Sequence, residues 1–131
     1  MKIEFFFGSG GFAAMAAGLV LSLQAAGLAA AEPAIRVLLL SGQNNHDWHA
    51  TTPKLQSILT ASGRFTVDVT ERPDQCDAAV FSRYDLILSD WNNWGNAKIK
   101  EWPAQTREDF LGFVRQGKGH MVVHAGGASF F

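Results

Sequence analysis

The run Ile35-Arg36-Val37-Leu38-Leu39-Leu40, closed by Ser41-Gly42, constrains this chain more than any other stretch. It is short and almost continuously apolar. A strand with one wet face alternates in polarity; a strand without alternation is buried on both faces, the condition of a parallel sheet covered by helices. The rest of the pattern agrees with that reading. Thr52-Pro53 is the hydroxyl cap and first-turn proline of a helix. Leu55, Ile58 and Leu59 make its apolar stripe, and Gly63 stops it. Phe65, Val67 and Val69 alternate with Thr66, Asp68 and Thr70, as expected of an edge strand.

A crossover over residues 73–83 holds a short helix through Ala78, Ala79 and Phe81, and a mostly apolar third strand follows over residues 84–89. Thr106 and Asp109 resemble a capping box for another helix, with Phe110, Phe113 and Val114 as its buried stripe and Gly117 as its end. Met121-Val122-Val123 is a fourth strand, entered from Gly119-His120. The order β-α-β-α-β-α-β predicts an α/β fold with a doubly wound, flavodoxin-like parallel sheet of strand order 2-1-3-4. A helix covering strand four should begin near Phe130-Phe131, where the sequence stops. The expectation is therefore the N-terminal half of a longer domain, with an open edge on the fourth strand.

The first 31 residues stand outside this pattern. Lys2 gives a thin positive start, Phe12 to Leu28 is almost wholly Ala, Gly, Leu, Val and Met, and Ala29-Ala30-Ala31 precedes Glu32. This is the layout of a secretory signal peptide cleaved after Ala31, giving a secreted or periplasmic domain over residues 32–131. A retained membrane anchor is the competing reading. Ser22, Gln24 and the glycines dilute the segment below what a span of about 20 apolar residues requires, so no stable membrane span is expected after cleavage. A buried core helix is the weakest reading, because Ala and Gly offer little to pack.

Hydrophobic residues make up 47% of the sequence, charged residues 18%, and the formal net charge is −1. With no basic run, nucleic acid is excluded as an expected partner. Cys76 is the single cysteine, so no internal disulfide is available. Its acidic surroundings, Asp74 and Asp77, disfavour a thiolate, and it reads as an incidental small residue.

The connections at the two ends of the strands differ sharply. The amino-end returns, Ser62-Gly63-Arg64 and Gln116-Gly117-Lys118, are brief and carry only turn residues. The carboxyl-end loops are loaded: Gln43-Asn44-Asn45-His46-Asp47-Trp48-His49, then Asp90-Trp91-Asn92-Asn93-Trp94, then His124 with a Gly-Gly turn. Open α/β sheets bind ligands beyond the carboxyl ends of their strands, where the winding reverses. These loops should share one mouth.

The same residues resemble a known family. Gly42-Gln43-Asn44-Asn45-His46-Asp47-Trp48 with Thr51-Thr52-Pro53 is similar to the opening motif of ThuA-like (trehalose utilisation) domains. Tyr84-Asp85-Leu86-Ile87 with Asn92-Asn93-Trp94-Gly95, and Gly117-Lys118-Gly119-His120-Met121-Val122-Val123-His124-Ala125, resemble two further signatures in the right order. The resemblance implies a class I glutamine-amidotransferase-like fold and a place in catabolism of trehalose and related disaccharides through keto-sugars. It does not carry glutaminase chemistry. That reaction needs a nucleophile on the tight turn after strand four, and the turn here is Val123-His124-Ala125-Gly126.

Two functions are expected to compete. One is a sugar-processing enzyme with His46, Asp47 and His124 as catalytic residues. In that reading His46, His49 and His124 could ligate a divalent metal such as Zn²⁺, or a metal-free histidine could move protons beside a keto group. The other is a non-catalytic carbohydrate-binding or interaction module. Its ligand-binding set is Asn44, Asn45, Trp48, Asn92, Asn93, Trp94 and Gly126, with indole faces for sugar rings and amides for hydroxyls. Both name a small sugar or sugar derivative as the partner. The bland alternatives stay open beside them: histidines that bond loop backbone and orient Trp48, and tryptophans that roof the sheet. His120, at the opposite end of strand four, is assigned no role, and Trp102-Pro103 is expected to pack rather than to touch ligand.

Overall fold

The computed structural model describes residues 34–94, 96, 98–99 and 101–129. The expected signal peptide lies outside them. Among the described residues no helix is long and apolar enough to cross a membrane.

The strands are β1 (Ile35–Leu40), β2 (Phe65–Thr70), β3 (Leu86–Ser89) and β4 (Gly119–Val122), joined through α1 (Trp48–Ala61), α2 (Ala78–Phe81) and α3 (Ala104–Arg115). They form one parallel sheet in the order β2-β1-β3-β4, as the pattern predicts. Single-turn 3₁₀ segments cover Pro73–Gln75 and His124–Ala128.

Alternation along the central strands divides the core in two. Val37, Leu39 and Leu88 face α1, where Leu55 and Leu59 pack on them. Leu38, Leu40 and Ile87 face the other way, toward Phe81, Phe110, Phe113 and Trp102 around α2 and α3. Burial of both faces explains the apolar run from Val37 to Leu40 in β1, which follows the exposed Arg36, and each such leucine contributes about 1.5–3 kcal/mol. Edge strand β2 keeps Thr66 and Asp68 exposed. On the opposite side of the sheet β4 has no further neighbour among the described residues, and Met121 and Val122 are each about half-exposed.

Local departures from expectation have clear causes. Helix α1 starts at Trp48, one turn before Thr52, because the Asp47 carboxylate caps it by accepting a hydrogen bond from the Ala50 N–H at 3.2 Å. Pro53 therefore lies inside the helix, and the His49 carbonyl forgoes its i+4 donor. Thr52 is buried instead of capping, its hydroxyl bonded to that of Ser41. The stripe of α1 is thus Thr52, Leu55 and Leu59, while Ile58 is 70% exposed on its flank.

The capping box at Thr106 also fails. Helix α3 begins at Ala104 after Pro103, and Thr106, already inside it, donates to the Asp74 carbonyl at 3.4 Å. Asp109 reaches across to the first N–H of α2, at Ala78, at 3.1 Å. A carboxylate from one helix thus satisfies an orphan donor of another. Cys76 is buried, which pushes its thiol above the usual range. Trp102 packs in the core between Trp91 and Phe110.

Candidate functional site

Register places the site. Leu40 pairs with Ser89, and Ser89 with Val122, so β1, β3 and β4 end level with one another. The three segments that leave them emerge side by side.

Backbone and amide hydrogen bonds bind the first two segments together. The Asn92 N–H donates to the Gln43 carbonyl at 2.9 Å, and Asn44 Nδ2 donates to the Asp90 carbonyl at 3.1 Å. Asn92 Nδ2 reaches Asn45 Oδ1 at 3.4 Å. Asn44 also accepts from the His46 N–H through Oδ1 at 2.7 Å, an Asx turn that aims the His46 side chain. The amides of Asn44 and Asn92 are therefore occupied in shaping the rim, with Asn92 fully buried and its Oδ1 taken by the Trp94 N–H.

The third segment turns sharply out of β4. His124 sits at its crest with φ of 44°, the left-handed region that a non-glycine residue enters only at a cost. Two residues later, Gly126 packs so closely on β3 that a Cβ would lie 2.1 Å from the Ser89 carbonyl oxygen. Ser129 then fastens the turn by donating to the Trp91 carbonyl at 2.7 Å. The strand, strained crest and close-packed glycine follow the geometry of a nucleophile elbow, with an imidazole where a thiol or hydroxyl would stand.

His46 and His124 meet over the strand ends. His46 Nε2 lies 3.0 Å from His124 Nδ1, with ring centroids 4.9 Å apart. Both rings are solvent-accessible. Beneath the mouth is Asp90, a residue 5% exposed at the end of β3, accepting from the Thr51 hydroxyl at 3.2 Å. Burial pushes its carboxyl up, against the opposing pull of Thr51, Asn44 and the charge on His46.

The remaining candidates divide. Asp47 is engaged as the cap of α1, and His49 stacks on Trp48 with centroids 3.6 Å apart. Trp48 is half-buried, Asn93 buried, and Trp94 is 56% exposed. Gly126 is buried under the turn. No group of three or more His, Cys, Asp or Glu able to hold a metal ion occurs among the described residues. His46 and His124 bring two imidazole nitrogens together, while the ring of His49 is against Trp48. Two nitrogens fill half of a tetrahedral zinc shell, or they share one proton.

Asp90 and Thr51 meet at the same mouth, although the sequence pattern assigned neither a role of its own. The available signal for Asp90 was its position, an acid directly after the buried run Leu86–Ser89 on a central strand. His120 is different: its Nε2 contacts the Ser89 hydroxyl at 3.0 Å and its ring packs edge-on against Phe110. Burial lowers its pKa. It lines a cavity of about 500 Å³ between β4 and α3, whose wall includes Gly126, Gly127 and Ser129 of the turn after His124.

The family model for ThuA, trehalose utilisation, matches residues 36–131. The chain belongs to the ThuA family. It is also similar to a solved ThuA-like protein from Parabacteroides merdae, with 36% identity and a TM-score of 0.62 over 75% of this chain. The chain spans 35% of the length of that protein. No curated protein matches it. ThuA membership ties the chain to sugar metabolism in general. Its fold is an α/β fold with a four-stranded parallel sheet among the described residues, and the loops that carry the family-like motifs are those that converge on His46 and His124.

Proposed function

We propose that this ThuA chain is exported and acts on a sugar-derived ketone, with His46 and His124 moving a proton at the carbon beside the carbonyl. The observation that carries the reading is the 3.0 Å approach of the two imidazoles at the level ends of parallel strands. Imidazole is the side chain whose ordinary pKa suits proton transfer near neutrality. In this step a C–H bond breaks, its proton passes to an imidazole nitrogen, and the electron pair moves onto the carbonyl oxygen. The exposed indole of Trp94, on the segment after β3, offers an apolar face for a sugar ring. The signal-like segment ahead of Glu32 supports export.

A second reading, a carbohydrate-binding module without chemistry, draws on the same exposed Trp94. Calorimetric binding and turnover of a keto-disaccharide, measured on native protein, His46→Ala and His124→Ala, separate the two. Turnover lost while binding survives supports the enzyme. Binding without turnover by the native protein supports the module.

A further inference from the structure

We infer that the two imidazoles form a one-way-facing proton relay, in which His124 Nε2 is the atom that meets substrate and His46 is a positioning residue behind it. The inference rests on the proposed proton-transfer reading for its purpose, and on ring geometry for its content.

The contact uses the tip nitrogen of His46, Nε2, and the backbone-side nitrogen of His124, Nδ1. His124 Nε2 therefore lies on the opposite edge of its ring, where no side-chain or backbone partner engages it among the described residues. The His46 backbone N–H is tethered through the Asn44 amide to the Asp90 carbonyl just past β3, which fixes the loop that carries the ring. His124 is held by the strained turn. The contact leaves the backbone-side nitrogen of His46 and the tip nitrogen of His124 outside it, so the His46 ring backs the presented one.

A single hydrogen bond between two nitrogens holds one proton, which couples the tautomers of the neutral rings. If His46 Nε2 carries the proton, His124 Nδ1 accepts, and both rings are Nε2–H. If His124 Nδ1 carries it, both rings are Nδ1–H. Which nitrogen of an imidazole is protonated is set by the bond its other nitrogen makes. A proton taken up at His124 Nε2 in the Nδ1–H state can be balanced by release at His46 Nδ1, which converts both rings together. His46 then serves His124 as an orienting partner serves a general base in a catalytic triad, without itself touching substrate.

Long-range ¹H–¹⁵N spectra of histidine-labelled native protein, recorded where both rings are neutral, test this without any substrate. Matched tautomers at His46 and His124 are expected. Mixed tautomers would overturn the relay, since they put either two protons or none between the facing nitrogens. In a second arm, His46→Gln places an amide nitrogen near the position of Nε2. It is expected to hold the native His124 tautomer preference, whereas His46→Ala loses it; an unchanged His124 signal in His46→Ala would overturn the positioning role. If the spectra agree and no keto-sugar is turned over, the proposed reaction fails while the relay stands.

Discussion

His46 Nε2 and His124 Nδ1 lie 3.0 Å apart although 78 residues separate them in sequence. The contact depends on β1 and β4 flanking β3, and on the level ending of all three strands. Neither histidine is held by its own loop alone. One is anchored through Asn44 to the β3 segment, the other by a turn packed on Ser89.

The strain at His124 gives a first prediction. A non-glycine residue in the left-handed region costs on the order of 1–3 kcal/mol. His124→Gly is expected to be at least as stable as the native protein in urea unfolding, and His124→Val less stable by about 1–3 kcal/mol. A glycine variant clearly weaker than native would mean that the crest is unstrained or that the imidazole contact dominates.

Gly126→Ala should be worse than a glycine replacement in open space. Its methyl would meet the Ser89 carbonyl oxygen at 2.1 Å, whereas nothing lies within 4 Å of the corresponding position at Gly112, whose backbone is not left-handed. Overpacking of this kind costs roughly 1–3 kcal/mol, and the turn carrying His124 must shift. Thermal unfolding of the two alanine variants, side by side, checks the difference. Equal losses would contradict the close packing of the turn on β3.

The burial of Leu38 on β1 and the exposure of Ile58 on α1 give a contrasting pair. Leu38→Ala, in the core beside Phe81 and Phe110, is expected to cost about 2–5 kcal/mol. Ile58→Ala, at a residue 70% exposed, should change stability by less than about 0.5 kcal/mol. Urea midpoints read both.

Acid stability should depend on Asp85. Its carboxylate accepts from Arg36 and Lys118, and these bonds hold its pKa well below the usual range. A depressed folded-state pKa stabilises the fold above the unfolded value of about 3.9, and that contribution is lost as pH falls below it toward the folded value. The stability of Asp85→Asn is therefore expected to fall less steeply than native below about pH 4. Partial exposure keeps the effect small. Parallel slopes for native and variant would contradict it.

The sheet was legible because β1 is buried on both faces and β2 is not: residues 35–40 read as an almost continuous apolar run, and residues 65–70 as an alternation. The grouping of loops at one end followed from that topology. Helix starts were less legible. Thr52-Pro53 has the chemistry of a cap, yet Asp47 supplies one earlier, and the fold uses the Thr52 hydroxyl against Ser41. Ile58 is apolar at helical spacing, but which side of a stripe touches the sheet is decided by how α1 sits on β1 and β2. In the site, residue type suggested which side chains were polar enough to bind a ligand. It could not reveal that Asn44 and Asn92 use their amides on the rim itself, or that His49 stacks on Trp48.

Deuterium wash-in tests the central claim most directly: native protein and His124→Ala are incubated with a keto-disaccharide in heavy water, and label is read at the carbon beside the carbonyl. The native chain is expected to incorporate deuterium, and the variant to do so slower by on the order of a hundredfold or more. Equal rates in the two proteins, or bound sugar that gains no label from the native chain, would contradict proton transfer by this pair.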